Sequence, residues 1–497
     1  MDASFLSTIF GDAVAIAPEI ILIIGALLIP GIFILTKNGK LTAILAEVFI
    51  LVSGVIAGIA LSDDNLMGKD FMGIFSLDQF SALMMILFLV VVFLVVLISI
   101  ESVETTRHKG EYYSLLLIAV TGMMFVASSN NLMSIFVGVE TVSISSYALA
   151  AMKKNDPRAA EAGVKYLIIG GLSSALTLYG ISMLYGVTGT IELDGIAMAL
   201  SNMDGYTWPF LVAMIAMIAG YGFKISAVPF HMWAPDVYEG AASPVSTFLA
   251  TGSKKMGFAV LFKIFFTLFA IAPVFATTEM QYIFAIIAAL TMTVGNIVAI
   301  SQQNIKRMLA YSSIAQAGYI LIALAVMSPY AMTGGLFHMF THVFMKGGAF
   351  IVVTALITAG IGEKISDYKG LAKRSPIVAA AMLIFLFSLA GIPPLAGFTS
   401  KFVLFSSAIF VDGQVVYQWV WLALIAILNS AISLYYYARV VKAMYVDAGE
   451  SEEKIKIKPT HLAAIVICVV FVILLGVFPG PLLDLCTAAA NTIFPLP

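Results

Sequence analysis

The chain has 497 residues, of which 61% are hydrophobic and only 11% are charged, and its formal net charge is −2. Because so few charged side chains cannot cover the surface of a soluble protein of this length, a soluble fold is excluded. The balanced charge and the lack of a long basic run also exclude nucleic acid as a partner. The composition therefore predicts a polytopic membrane protein.

The N-terminus and the cysteines narrow the class further. The first 20 residues contain Asp2 and Asp12 and no basic residue, which is not typical of a cleavable signal peptide, so we expect the first membrane span to be retained. Cys468 and Cys486 fall near the two ends of the last apolar segment, and no C-x-x-C occurs. Iron–sulfur ligation within this chain is therefore excluded.

Long apolar runs follow one another along the whole chain. Runs of about 18 to 30 residues, compared with the roughly 20 that cross a bilayer, predict fourteen membrane spans. The predicted spans are 13–36, 41–61, 77–100, 112–129, 131–152, 162–187, 208–233, 242–272, 279–300, 307–327, 331–360, 377–411, 416–446 and 460–482. The expected fold class is an all-α polytopic membrane protein with about 14 transmembrane helices.

Lysine and arginine are distributed unevenly between the connections that join these spans. The odd-numbered connections, counted with the span ends next to them, hold eighteen of the 26 Lys and Arg residues, whereas the even-numbered connections hold Lys69 alone. Because Lys and Arg accumulate in cytoplasmic loops, we expect the odd-numbered connections to lie in the cytoplasm. Both termini of a multi-pass protein of the cell (cytoplasmic) membrane would then lie outside.

Ionisable residues also occur inside the predicted spans, where a charge costs several kcal/mol unless it faces a polar interior. The seven basic residues that remain lie within spans, and they are Lys165, Lys224, Lys254, Lys255, Lys263, Lys346 and Lys401. Among the acidic residues within spans, Glu140 is the most deeply placed. Charges of both signs predict a polar path through the helix bundle.

Two spans are interrupted by helix-breaking residues next to a lysine. The seventh span contains Lys224 and Pro229, and the twelfth contains Pro393 and Pro394 before Lys401. The two spans cross in opposite directions, and such paired interruptions are typical of transporters with inverted repeats.

We therefore predict four regions. Residues 1–111 form an N-terminal three-helix segment, 112–272 the first inverted repeat, 279–446 the second, and 447–497 a C-terminal helix.

Lys224 lies about sixteen residues into its span, too deep for its side chain to reach either surface. Burial disfavours the charged form of a lysine, so such a group can take up and release a proton near neutral pH. A nearby carboxylate opposes this effect, and Glu140 is the candidate that would control Lys224. The alternative is a lysine–carboxylate pair that only holds helices together.

His338, His342 and Lys346 are spaced by four residues, which places them in one stripe on the eleventh span. Because histidine titrates near neutral pH, the stripe suits a proton relay. The two histidines are also spaced for a metal ion, but the segment offers no acidic or cysteine partner, and we expect no metal site.

The other lysines differ in whether their side chains face the bundle interior or can extend to a membrane surface. Lys254 and Lys255 point about 100° apart on a helix, so only one can face the bundle axis, and which one stays open. Lys401 is a candidate for the same reason as Lys224. Lys165 and Lys263 are weaker candidates, because both lie within snorkelling reach of a surface.

His231 and Asp236 follow the break of the seventh span. We expect these two residues to shape the break and its cytoplasmic end rather than to carry protons.

Three motifs resemble one family of membrane proteins. VPFHMWAPDVYEGAASPVSTFLATGSKK, with FVGVETVSISSYAL and LAGIPPLAGFTSKF, resembles the antiporter-like membrane subunit N of respiratory complex I, the proton-pumping NADH:quinone oxidoreductase. The resemblance covers nearly the whole chain. It implies fourteen spans in two inverted five-helix repeats, with broken helices in the seventh and twelfth spans.

The resemblance also implies site residues, with proton translocation through Glu140, Lys224, Lys254 and Lys401. The stripe of His338, His342 and Lys346 is a departure, which resembles the sister antiporter-like subunits and the multi-subunit cation/proton antiporters more than many bacterial N subunits.

The chain has no G-x-G-x-x-G after a strand, no P-loop and no cluster-binding cysteines, so we expect a non-redox subunit of a translocase that binds no cofactor itself. The resemblance implies FMN or FAD and iron–sulfur clusters in partner subunits. It also implies other membrane subunits, including sister antiporter-like chains, as partners in a lipid bilayer. The resemblance further implies that the complex as a whole, rather than this chain, binds and reduces quinone or methanophenazine.

Three alternatives stay open at this point. The resemblance extends to the methanogen complex that oxidises a reduced deazaflavin coenzyme and reduces methanophenazine, so the electron donor is not fixed. A multi-subunit Na⁺/H⁺ antiporter would use the same buried lysines without redox chemistry. A structural membrane subunit would use them only to hold helices together.

Overall fold

The structure is a computed structural model that describes residues 13–63, 66–103, 108–203, 207–271, 278–411, 414–449 and 451–494. Asp2, Asp12 and Arg107, one of the eighteen basic loop residues, lie outside these ranges. Within them, twelve helices are long and apolar enough to cross a membrane. The chain is therefore an all-α polytopic membrane protein, as predicted.

Three helices correspond to the first three predicted spans. They are α1 (Ala17–Thr36), α2 (Gly39–Ser62) and α3 (Gln79–Ser102). An antiparallel hairpin of β1 (Lys69–Phe71) and β2 (Phe75–Leu77) connects α2 to α3. The side chain of Asn38 accepts hydrogen bonds at the start of α2, and Asp78 forms a capping box at the start of α3, so the chain caps both helices locally.

The next five predicted spans correspond to α4 to α12. These are α4 (Lys109–Ser128), α5 (Leu132–Ala150), α6 (Pro157–Thr188), the short α7 (Leu193–Ser201), α8 (Trp208–Ile225), α9 (Trp233–Gly240), α10 (Ser243–Phe248), α11 (Lys254–Leu261) and α12 (Thr267–Ile271). Two π-helical segments, Leu249–Ser253 and Phe262–Phe266, join α10, α11 and α12 into one continuous span.

The remaining helices follow the same order as the predicted spans. They are α13 (Thr278–Ser301), α14 (Ile305–Val326), α15 (Pro329–Thr358), the short α16 (Leu371–Arg374), α17 (Pro376–Ala390), α18 (Ala396–Ser407), α19 (Val420–Tyr445), α20 (Pro459–Val477) and α21 (Gly480–Ile493). A hairpin of β3 (Phe410–Val411) and β4 (Gln414–Val415) precedes α19. The C-terminal region thus has two helices, where one was predicted, because Phe478 leaves the helical conformation and Pro479 cannot continue α20.

The seventh span breaks between α8 and α9, as predicted. α8 ends before Ser226, which has a left-handed φ of 58°, and Pro229 follows through a cis bond. The freed backbone is satisfied inside the protein. Ala227 N donates to Gly222 O at 2.8 Å, and Val228 N donates to Thr291 Oγ1 on α13 at 3.0 Å. Irregular backbone at membrane depth is tolerated on this condition.

The twelfth span breaks between α17 and α18. α17 ends at Ala390. The next residue, Gly391, has a left-handed φ of 90°, and Pro393 and Pro394 follow. Gly397 N then donates to Ser388 Oγ at 3.0 Å, which holds α18 against the end of α17.

The two predicted repeats share one detail in their connections. Asn131 caps α5 and forms a backbone bridge with Glu192, and Asn304 caps α14 and forms a backbone bridge with Lys364. In each case the connection before one span pairs with the connection after the next span. This match favours the assignment of 112–272 and 279–446 as repeats, which stays a prediction together with the count of fourteen spans.

Candidate functional site

Six of the seven lysines within predicted spans are buried in the bundle, and none of these six side chains is more than 4% exposed. They are Lys224, Lys254, Lys255, Lys263, Lys346 and Lys401. Two of the helices that surround them, α14 and α15, are the most completely buried of the apolar helices in the described part of the chain. The ammonium groups therefore depend on protein atoms rather than bulk water for their hydrogen bonds.

Glu140 on α5 and Lys224 on α8 line the same small cavity. The cavity measures about 10 Å³ and is also lined by Ser143 and Ser174, which is close to the smallest volume that can hold one water molecule. Ser174 Oγ donates to Glu140 Oε1 at 2.5 Å, and Lys224 Nζ donates to Ser143 Oγ at 2.7 Å. The Ser143 hydroxyl, rather than Glu140, thus accepts the bond from Lys224.

Lys224 lies where a cation is favoured by the local backbone. It is in the last turn of α8, whose final carbonyl groups carry partial negative charge. The rings of Tyr147 and Tyr166 lie 5.9 and 5.7 Å from its Nζ atom, at the outer range of cation–π contact.

Lys254 and Lys255 are both buried, so the lysine that does not face the bundle axis lies against a neighbouring helix. Every residue of the continuous span from 243 to 266 is buried, so the helix is enclosed on all sides and neither lysine can snorkel. Lys254 Nζ has no hydrogen-bond partner among the described residues and lies 5.6 Å from the Tyr238 ring. The π-helical segments lie immediately before and just after α11, and such segments often occur at functional sites.

The stripe of His338, His342 and Lys346 on α15 faces two polar residues on α14, Ser312 and Gln316. His338 bonds to Ser400 Oγ through Nδ1 at 2.9 Å and to Gln316 Oε1 through Nε2 at 3.0 Å. The ring centroids of His338 and His342 are 6.1 Å apart, and both nitrogens of His342 are buried without a hydrogen-bond partner among the described residues.

Lys346 completes this stripe. Its Nζ donates to Ser312 Oγ and, at 3.3 Å, to Leu309 O. Ser312 also bonds to Tyr437 on α19. In the described part of the chain, no three His, Cys, Asp or Glu side chains lie close enough together to hold a metal ion.

Lys401 lies on α18 and folds back over the break. Its Nζ donates to Leu389 O at 2.7 Å, Ala390 O at 3.3 Å and Ser430 Oγ at 2.9 Å. The lysine thereby caps the exposed carbonyl groups at the end of α17. Lys401 follows its break whereas Lys224 precedes its own, so the two lysines do not occupy equivalent places in the two broken spans.

The remaining predicted residues have different environments. Lys165 is partly exposed and pairs with Glu161 and Asp236 at 2.7 and 2.8 Å. Lys263, in contrast, does not snorkel, because its Nζ donates to Ala127 O at 2.7 Å in the interior.

The break and its far end are held by polar contacts. His231 is buried beside the break. Asp236 also accepts a bond from Arg307 on α14 at 2.6 Å, so it joins α6, α9 and α14 in an ion-pair network.

The neutral side chains that bond to the lysines could not be identified from the sequence. Ser143, Ser312 and Ser430 each accept a hydrogen bond from a buried lysine, and Gln316 bonds to His338. Ser312 and Gln316 are spaced by four residues in an apolar helix, which is the one sequence signal that indicated a polar stripe on α14.

Two acidic residues on other helices are less exposed than Glu140. All four carboxyl oxygens of Glu19 on α1 and Glu47 on α2 are buried without a hydrogen-bond partner among the described residues. They lie in the N-terminal three-helix segment, apart from the lysines.

Comparison with known proteins gives consistent results. The family model described as "NADH:quinone oxidoreductase/Mrp antiporter, TM" matches residues 129–433. The F(420)H(2) dehydrogenase subunit N of Methanosarcina mazei is 42% identical over 97% of this chain and 99% of its own length. The NADH-quinone oxidoreductase subunit N of Heliobacterium modesticaldum is 44% identical over 84% of this chain and 86% of its own length.

A solved structure agrees with these relatives. A chain of respiratory complex I from Thermus thermophilus superimposes with a TM-score of 0.77 and 29% identity, covering 94% of this chain and 98% of that chain. With its buried lysines, its two broken spans and relatives that match nearly end to end, this chain belongs to the NADH:quinone oxidoreductase/Mrp antiporter transmembrane family, as an antiporter-like subunit N of the complex I type.

Proposed function

We propose that this chain translocates protons in a complex I-type assembly, whose partner subunits carry FMN or FAD, iron–sulfur clusters and the quinone or methanophenazine chemistry. The observation that carries the proposal is the lysine row, which we define as Lys224, Lys254, Lys255, Lys346 and Lys401. Relatives named for NADH and for F(420)H(2) match at similar identity, so the proposal covers both electron donors.

The helices that carry the lysine row pack against one another in order. Gly257 on α11 lies against Lys224 on α8, and Gly347 on α15 lies against Thr251, three residues before Lys254. His338 on α15 bonds to Ser400, the neighbour of Lys401. Polar groups therefore follow each other from Glu140 to Lys401 without leaving the interior.

The chemistry of the row suits proton transfer. A serine hydroxyl both donates and accepts hydrogen bonds, so Ser143 can bond to Lys224 in its charged and its neutral form. A charge on Glu140 across the cavity favours the charged form of Lys224, and its loss favours proton release. The protein would act in the cell membrane, with its odd-numbered connections in the cytoplasm and both termini outside.

Purification of the native complex through an affinity tag on this chain tests the redox partnership. We expect flavin and iron–sulfur clusters, measured as iron and acid-labile sulfide, to co-purify in constant ratio to the chain. A complex that contains only other membrane subunits and lacks both would contradict the proposal and favour the Na⁺/H⁺ antiporter.

A further inference from the structure

A buried histidine outside the lysine row connects three helix ends. His461, near the start of α20, is fully buried. Its Nε2 atom lies 2.9 Å from Ser102 Oγ and 3.1 Å from Ile98 O, both on α3. Because a carbonyl group only accepts, the neutral ring carries its proton on Nε2. The Nδ1 atom then has a free lone pair, and it is buried without a hydrogen-bond partner among the described residues.

This cluster extends from the surface into the bundle. Outward, Glu101 is next to Ser102 and pairs with the half-exposed Lys458 at 3.9 Å. Inward, Ser102 Oγ lies 3.2 Å from Thr358 Oγ1, at the end of α15. The charged groups that lie near His461 are thus Glu101 and Lys458. In the predicted orientation all these helix ends face the cytoplasm.

Helix α15 continues this line toward the lysine row. Thr358 and Thr354 extend the spacing of four residues that relates His338, His342 and Lys346. Thr358 Oγ1 donates to Thr354 O at 2.9 Å, and Thr354 Oγ1 donates to Phe350 O at 2.8 Å.

The interval between Thr354 and the row is occupied by two aromatic rings. Phe350 lies edge-on to Tyr238 at 6.1 Å, and the Tyr238 ring is 5.6 Å from Lys254 Nζ. The Tyr238 hydroxyl is buried without a hydrogen-bond partner among the described residues. Phe350 thus contacts Thr354 through its backbone carbonyl and Tyr238 through its ring.

We propose that His461, with Ser102 and Thr358, forms a proton-uptake site at the cytoplasmic end of α15 that supplies Lys346 and Lys254. Imidazole suits this role because Nδ1 can accept a proton while Nε2 releases one to Ser102. The hydroxyl proton that Ser102 now donates to Ile98 O would then turn to Thr358 Oγ1 and pass on. The inference rests on the proposed function. Its rival is a histidine that only holds α3 and α20 together.

Two matched sets of variants separate these readings. His461→Gln keeps an amide near the Nε2 position but cannot titrate, and His108→Gln removes an exposed histidine that pairs with Glu111. Thr358→Val removes the hydroxyl at nearly constant shape, and Thr358→Ser keeps it. Proton translocation is measured in inverted vesicles between about pH 6 and pH 9, with the cytoplasmic face outward, and normalised to assembled complex.

We expect His461→Gln to lower proton translocation by about tenfold and to move the alkaline decline of the rate by about one pH unit to lower pH, because proton capture becomes limiting. Thr358→Val should share the loss, whereas Thr358→Ser and His108→Gln should match the wild type. Should His461→Gln fail to assemble, the Thr358 pair decides alone.

An unchanged pH profile in His461→Gln, or equal rates in the two Thr358 variants, would overturn the uptake site. Lys224→Ala, tested in parallel, reports on the lysine row itself. Loss of translocation in Lys224→Ala with normal His461 and Thr358 variants would refute the uptake site alone, whereas normal translocation in Lys224→Ala would refute the proposed function.

Discussion

At the scale of single residues, the chemistry of this chain depends on pairs of a charged and a neutral side chain. The lysines could be predicted from the sequence, because a lysine inside an apolar run is conspicuous. Their partners could not, because Ser143, Ser312 and Ser430 are chemically like the many serines that bond to their own helix, as Ser145 does with Thr141 O.

Glu140 gives the first prediction at this scale. Glu140→Gln keeps the shape of the side chain and its bond with Ser174 but removes the charge that acts on Lys224, so proton translocation and oxidoreductase activity should fall together. Glu140→Asp keeps the charge and should retain part of both. Both rates are measured in inverted vesicles. Full activity in Glu140→Gln would mean that the charge is not needed.

The two histidines of α15 give the second. Because their rings are neighbours in one stripe, replacing His338 and His342 together by Gln should reduce translocation little more than the worse single replacement does. The measurement compares the double variant with both single variants. Additive losses would argue that the histidines act separately, as packing residues.

At the scale of helices, the two breaks were predictable from proline and glycine, which cannot continue a helix at these positions. The full burial of residues 243–266 was not, because a helix that is apolar on all sides has the same sequence pattern whether it faces lipid or protein. The sequence therefore places Lys263 within reach of a surface, whereas the structure encloses it together with Lys254 and Lys255.

Gly397 tests how the second break is built. A Cβ atom there would lie 1.7 Å from Ser388 O, whereas one at Gly171 on α6 would meet open space. Gly397→Ala should therefore displace α18 and reduce the amount of assembled complex on a native gel, while Gly171→Ala should not. Equal assembly of the two variants would show that α18 is not held this closely.

At the scale of the whole molecule, composition and spacing were enough to predict the fold class and the order of spans, because bilayer thickness fixes helix length. The C-terminal region was less predictable, because a single turn at Phe478 and Pro479 divides an apolar run that reads as one helix.

The orientation in the membrane is a prediction at this scale. Cysteines introduced at Gln414 and next to Asp204, which lies outside the described residues, should react with a membrane-impermeant reagent from outside, and those at Lys154 and Lys369 only from inside. The native Cys468 and Cys486 are buried and should stay unlabelled. Reversed labelling at any of the four positions would contradict the predicted orientation.

The central claim is that Lys224 takes up and releases a proton, and substitution of this lysine tests it most directly. Proton translocation is measured in inverted vesicles and normalised to assembled complex for Lys224→Ala and Lys224→Arg. Arginine keeps the positive charge but does not deprotonate in proteins. Both variants should lose translocation by more than about tenfold. Near wild-type translocation in Lys224→Ala, or its restoration by Lys224→Arg, would contradict this account and leave Lys224 a structural cation.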